Sequence, residues 1–382
     1  MIVRSSDLTI SPDELIIRVR LAAEAPTIAI GVDGSYQVID VNGQVVLDCP
    51  EPMTLRQVRL SPGSSAAIDL GGPPIVGGQL RIRPAIDGTL VVGQRRYRGE
   101  LILQTGAAGI TVTNSVHVEP YLQGVLHGEL PASFADATFG AQAIAARTYA
   151  LYQKLREGPY RNYDVLATEA SQMYIGVGGE SPRAIAAVND TRGIVLTWTS
   201  PQGERIFPAY YSSTCGGGTQ SVANVKPEPE IPPLAGGVPC RFCWESPHFK
   251  WAPAILSPAQ ITDKLRAKFR HMADMAPVAD VRTLAMTPDG RAITLAVDDA
   301  NGRTYELRGE DFRLAIGSRT LKSTRFRIER RTEGFAFVDG GGFGHGMGMC
   351  QYGAEGMARL GASAAQILRY YYPGCHLTKA YP

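Results

Sequence analysis

The chain has 382 residues, 44% of them hydrophobic, enough to bury a substantial core and to form two or three domains. Its 38 Lys and Arg against 36 Asp and Glu leave a net charge of +2, too small to signal recognition of nucleic acid by bulk electrostatics. No stretch approaches the roughly 20 apolar residues that cross a bilayer, and the opening Met1-Ile2-Val3-Arg4-Ser5-Ser6-Asp7 lacks a basic start followed by a hydrophobic run, so no export signal is expected there.

In chain order, Glu14 to Leu21, Thr27 to Val32, Tyr36 to Val41 and Leu80 to Arg83 read as short strands, several of them separated by turns such as Asp33-Gly34 and Asn42-Gly43. With Arg98 to Leu103 and Gly109 to Asn114 they predict a β-rich N-terminal lobe over residues 1–115, leading through a soft boundary into a domain over 116–382. Helices then appear with legible caps. Asp136 is placed to cap a helix from about Ala137 to Leu155, Ser181-Pro182 opens one that ends before Gly193, and Ser257-Pro258-Ala259-Gln260 is a capping box with proline at the first position. Ser363-Ala364-Ala365-Gln366 repeats the capping box for the last helix. Strand-like runs lie between them at Ile194 to Trp198, Ala292 to Val297 and Phe335 to Val338. This irregular interleaving predicts an α+β fold rather than a doubly wound sheet, with a helix and strand subregion over 246–333. No internal repeat is present, and Lys226 to Pro233 reads as an extended Pro-rich segment.

The most informative stretch is Gly340-Gly341-Gly342-Phe343-Gly344-His345-Gly346-Met347-Gly348-Met349-Cys350-Gln351-Tyr352-Gly353-Ala354. Its glycines forfeit backbone entropy and bury little apolar area, which suits a backbone turning tightly around a ligand better than it suits stability. The plainer alternative is an irregular loop before a helix. A second patterned block lies upstream, Tyr121 to Ser133, followed by the helix-like Ala141-Gln142-Ala143-Ile144-Ala145-Ala146-Arg147-Thr148-Tyr149-Ala150.

Within the upstream block Glu129 sits between Val125-Leu126 and Leu130-Pro131, an apolar setting that favours retention of a proton and suits a general acid. The alternative is a carboxylate satisfying backbone donors at a turn. Arg147 follows eighteen residues later in an alanine-rich helix, where it has to reach a carboxylate, a ligand or solvent. His345, Gln351 and Tyr352 carry donors and acceptors suited to a polar ligand, with Gly344 and Gly346 permitting close approach. Cys350, five residues from His345, admits a Cys-His nucleophile reading, although a free cysteine is more commonly a small buried group. Cys240-Arg241-Phe242-Cys243 has the short bite of a metal-binding pair, with a disulfide or unpaired thiols as the competing readings.

Taken together these blocks resemble the stage II sporulation protein D and amidase-enhancer family over roughly residues 98–376. Four family motifs occur in order: Glu129-Leu130-Pro131, Ala141 to Tyr149, Thr214-Cys215-Gly216-Gly217-Gly218-Thr219, and Gly344 to Ala354. The resemblance implies a peptidoglycan-directed protein of the cell envelope, outside the cytoplasm, whose sporulation-type relatives are lytic transglycosylases. It matches Glu129 to the catalytic glutamate and gives Arg147 a role in orienting Glu129 or a sugar substituent. It implies sugar hydroxyls and N-acetyl groups as the partners of His345, Gln351 and Tyr352. It gives glycan strands, stripped of peptide, as substrate, with an N-acetylmuramoyl-alanine amidase as the cooperating partner and no nucleic acid. Some relatives bind zinc at the third motif, so Cys215, Cys240 and Cys243, with His248 as fourth ligand, form the expected structural zinc set. A histidine found three residues before that cysteine in such relatives is Ser212 here. Gly140 also departs from the family, where a lysine often precedes the Ala-Gln-Ala run, and this favours a second reading: a non-catalytic glycan binder that enhances an amidase. Zinc-dependent hydrolysis is a third reading, disfavoured because closed thiolate sites leave no position for water.

Overall fold

The computed structural model describes residues 10–61 and 67–382, so the leader reading of Met1 to Asp7 lies outside the described residues. The architecture is α+β, as expected, and divides into two compact units: one runs to Pro208 and takes back Leu377–Pro382, the other is Ala209–His376.

The first unit carries a seven-stranded sheet whose order across is Val165–Leu166, Ile16–Ala25, Ile110–His117, Glu100–Thr105, Gln79–Pro84, Tyr36–Ile39 and Val45–Cys49. Apolar residues alternate along its strands, so that Ile17 and Val19, Leu101 and Leu103, and Ile110 and Val112 are all fully buried. Register is set by these inward residues, with Ile17 opposite Val116 and Leu101 opposite Asn114 and Ile82. A six-stranded sheet contains Thr27–Asp33, and Asp33-Gly34 therefore leads from one sheet to the other, whereas Asp40 to Gln44 turns the hairpin between Tyr36–Ile39 and Val45–Cys49.

The boundary expected near residue 115 does not divide the compact units. Ile110–His117 runs straight into helix α1 (Val118–Glu129), the His117 Nδ1 accepting from the Glu119 N–H at 3.2 Å as its cap. Val165–Leu166 then adds to the sheet in parallel with Ile16–Ala25, which ties the later segment to the N-terminal strands. Helix α2 (Asp136–Arg156) is buried over most of its length, its alanines at 141, 143, 145, 146 and 150 letting neighbouring backbone approach on every side. Asp136 does not cap it: Ala135 holds the cap position without a side-chain bond, and Asp136 instead pairs with Arg183 at 2.8 Å. Helix α3 (Pro182–Asp190) is capped as expected by Ser181, whose hydroxyl accepts from the Ala184 N–H.

The second unit contains α4 (Val222–Val225), α5 (Pro258–Lys268), α6 (Gly309–Ile316), α7 (Gln351–Arg359) and α8 (Ala364–Tyr371). Both predicted capping boxes form, at Ser257 with Gln260 and at Ser363 with Gln366. Residues from Trp251 to Phe337 build a core of their own around Leu295, Phe312, Phe326, Phe335 and Phe337, flanked by two three-stranded sheets. Among the described residues no helix is long and apolar enough to cross a membrane.

Candidate functional site

Glu129 is the last residue of α1 and is half-buried. One face of that helix carries Tyr121, Gly124 and Gly128 at helical spacing, and the segment from Gln172 to Gly176 lies against it. A side chain at Gly128 would come within 2.3 Å of the Met173 carbonyl, so only glycine admits this approach. The segment is fastened by hydrogen bonds from the Tyr121 hydroxyl to Gln172 Oε1 at 2.8 Å, from the Ile175 N–H to the Gly124 carbonyl at 3.0 Å, and from the Tyr174 hydroxyl to Asn114 at 2.9 Å. In consequence the Met173 N–H donates to Glu129 Oε1 at 2.7 Å: the carboxyl satisfies a backbone donor, the alternative the sequence left open, and is held in place by it.

Arg147 is placed differently from the expectation. Its side chain is fully buried and its guanidinium forks onto Glu119, Nε to Oε1 at 3.1 Å and NH2 to Oε2 at 2.7 Å. The remaining N–H groups meet Thr191 Oγ1 at 3.4 Å and the carbonyls of Ile194 and Val188, both at 3.2 Å. These bonds occupy all five guanidinium donors, which leaves none to orient Glu129 or to meet a sugar. Of the three destinations open to an arginine in an alanine helix, the carboxylate is the one realised, and it is Glu119. Burial opposes the charge on Glu119, yet Arg147, the Tyr381 hydroxyl at 2.6 Å and the Gly193 N–H outweigh it and hold the carboxyl below its usual range.

In the second unit the sequence-predicted loop wraps around the chain's own groups. Gly344 and Gly346 have φ of +99° and +79°, and a Cβ at Gly346 would lie 2.8 Å from the guanidinium carbon of Arg291. At Gly344 it would lie 2.9 Å from the Ser212 Cβ. Both glycines therefore answer to packing already present. His345 is half-buried, its Nδ1 accepting from the Met347 N–H at 3.0 Å, and burial, reinforced by Arg313, Lys226 and Arg291 against the opposing Glu310, pushes its pKa down to about 4. The ring is neutral at neutral pH, with Nε2 as its N–H donor. Gln351 is buried, and Tyr352 is half-buried with its N–H donating to the Ser213 carbonyl at 3.0 Å.

Beneath this loop the sulfurs of Cys215, Cys240, Cys243 and Cys350 lie within 4.8 Å of one another, all buried. His248 is not among them: its Nδ1 faces Lys322 Nζ at 3.4 Å, and its ring stands edge-on to Phe343. The fourth sulfur of the cluster is that of Cys350, which also caps α7 by accepting from the Gly353 N–H at 3.3 Å. Cys240 and Cys243 are thiols with no disulfide between them. A tetrahedron with metal–sulfur arms of about 2.3 Å has edges of about 3.8 Å, and Cys215 and Cys243 stand 3.7 Å apart. Four sulfurs in that arrangement fit a closed, structural metal centre, with no open position for water.

Sequence reasoning missed the two arginines that clamp this centre. Arg291 NH2 donates to the Cys215 carbonyl and Arg325 NH1 to the Gly216 carbonyl, holding the turn that supplies the first sulfur. Neither arginine lies in a motif; Arg291 follows an ordinary Asp289-Gly290 turn, so nothing local marks it. Glu119 also escaped notice, because its only signal is a position in the first turn of α1.

An α+β protein with a backbone-anchored glutamate in one unit and a four-cysteine centre under a glycine loop in the other defines the class. A family model described as Stage II sporulation protein matches residues 107–198, and one described as a domain of unknown function, DUF8618, matches 243–348. The chain is 30% identical over 279 residues to an uncharacterized protein of Brachyspira hyodysenteriae, covering 73% of this chain and 71% of that one. It is 29% identical to Stage II sporulation protein D of Bacillus subtilis (70% of this chain, 76% of the relative) and 28% identical to the amidase enhancer of the same organism, of which it spans 40%. The chain belongs to the stage II sporulation protein D and amidase-enhancer family.

Proposed function

We propose that this protein is a peptidoglycan lytic transglycosylase of the cell envelope, working outside the cytoplasm on glycan strands stripped of peptide. The observation that carries the reading is the fixed carboxyl of Glu129, held by the Met173 N–H on a segment laced to α1. As general acid, Glu129 gives its proton to the glycosidic oxygen while the bond to the anomeric carbon breaks and oxocarbenium character grows there. The resulting carboxylate takes the proton of the sugar's own 6-hydroxyl, whose oxygen closes onto the anomeric carbon as a 1,6-anhydro end. No water is consumed and one carboxylate serves both steps. His345, through its Nε2–H, with Gln351 and Tyr352, would meet sugar hydroxyls and N-acetyl groups. Cys215, Cys240, Cys243 and Cys350 would hold a structural zinc, which when bound supplies a cross-link between the third motif and the start of α7.

A specific observation favours a second reading, a non-catalytic glycan binder that stimulates an amidase. Gly140 stands where the family often has lysine, and Arg147 is committed to Glu119. One relative is named an amidase enhancer, which fits an amidase as partner in either case. Mass spectrometry of peptide-free glycan strands incubated with the parent and with Glu129→Gln separates the two. Anhydro-muramyl ends from the parent, reduced about 10²–10⁴-fold in the variant, support the transglycosylase. Binding without cleavage by either protein supports the enhancer.

A further inference from the structure

We propose that Arg291, assisted by Arg325, is the counter-charge of the four-cysteine centre and sets how tightly that centre holds a divalent metal. The inference rests on the zinc part of the reading above and not on the transglycosylase part. Arg291 is fully buried, and a buried guanidinium needs both an anion and acceptors for its donors. Its NH2 has the Cys215 carbonyl, but Nε and NH1 have no hydrogen-bond partner among the described residues. The nearest carboxylate oxygen, Asp289 Oδ2, stands 3.9 Å from Nε, beyond hydrogen-bond reach, and is itself without a partner. The guanidinium is thus drawn away from its sequence neighbour and onto the turn that carries Cys215, with Gly346 packed against its carbon on the other side.

What could attract it there is the charge of the centre. Four thiolates around a divalent ion carry a net charge of −2, in an interior where such a charge is costly unless offset. Arg325 repeats the placement one residue on, at the Gly216 carbonyl, so consecutive carbonyls beside the first sulfur each receive a guanidinium. Donors also converge on the sulfurs themselves. The Cys215 N–H reaches Cys350 Sγ at 3.2 Å, the Gly353 N–H reaches it at 3.3 Å, and the Tyr371 hydroxyl lies 3.1 Å from Cys240 Sγ. Such outer groups orient the ligands and tune affinity for the metal.

The test uses the full chain loaded with Zn²⁺ or Co²⁺, with affinity read by chelator competition and by the thiolate-to-cobalt absorption band. Arg291→Met is expected to weaken binding by about 10–100-fold, Arg291→Lys to restore most of it, and Arg325→Met to act in the same direction by less. A folded Arg291→Met with parental affinity overturns the proposal, as does an equal loss in Arg291→Met and Arg291→Lys, which would show that shape and not charge matters. Should Arg291→Met fail to fold, Arg291→Lys and Arg325→Met decide: a weakened Arg325→Met beside a near-parental Arg291→Lys supports the role, and any other pair of results overturns it. A parent that takes up neither metal removes the zinc reading and this inference with it, whatever the outcome of the glycan assay.

Discussion

Among the described residues each compact unit buries one arginine completely, and the two are satisfied in opposite ways. Arg147 in the first unit meets five acceptors, two of them on a carboxylate, and is a closed structural clamp between α1, α2 and the strand at Ile194. Arg291 in the second unit has one carbonyl and two idle nitrogens beside four sulfurs. A buried arginine with a full set of partners reports on folding; one without them reports on something the protein carries. The resemblance-based role for Arg147 failed for the first reason, and Arg291 earns attention for the second.

Breaking the clamp should have the largest effect. Glu119→Ala leaves the Arg147 guanidinium buried and without its anion, and is expected to cost about 3–5 kcal/mol in urea unfolding; a loss below about 1 kcal/mol would mean that the pair is worth no more than a surface one. On the other side of the comparison, Cys350→Ser should remove stoichiometric zinc from purified protein while His248→Ala keeps it, measured by elemental analysis. Retention in the serine variant, or loss in the alanine one, would restore His248 as the fourth ligand.

A smaller effect comes with pH. His345 titrates near 4 in the folded chain against about 6.5 when unfolded, so between those values the unfolded state binds more protons. Its contribution to stability is fully present above pH 6.5 and is lost as pH falls toward 4. His345→Gln should flatten that part of the stability profile by about 3 kcal/mol; an unchanged slope would place the ring in contact with water. Smallest, Ser257→Ala should cost about 1 kcal/mol in thermal unfolding, the scale of a local cap against which the clamp and the metal centre are judged.

The legible parts of the fold were the local ones. Ser181, Ser257 and Ser363 cap the helices expected of them because a cap depends on residues within three positions. Strands at Thr27, Gln79 and Ala292 follow from short runs rich in aliphatic and β-branched residues, although only the one at Gln79 buries every second residue. Asp136 misled because it sits beside the cap position and finds a longer-range partner in Arg183. At the candidate site the motifs bring Cys215, Cys240 and Cys243 together as neighbours, whereas nothing in the sequence around Cys350 distinguishes a fourth member of the cluster from a small buried group. The glycines at 344 and 346 were read as making room for a ligand; they make room for Arg291 and Ser212.

By itself, then, the sequence determined the α+β class, the ordered motifs that define the family, and the starts of α3, α5 and α8. These depend on short-range periodicity, on caps and on residue types in fixed spacing. Tertiary structure alone decided that Arg147 belongs to Glu119, that the fourth sulfur comes from residue 350 and that Arg291 lies against the turn at Cys215. Those pairings join positions 28, 107 or more, and 76 residues apart, separations at which no local rule constrains partners and only the packed chain brings charge and ligand together.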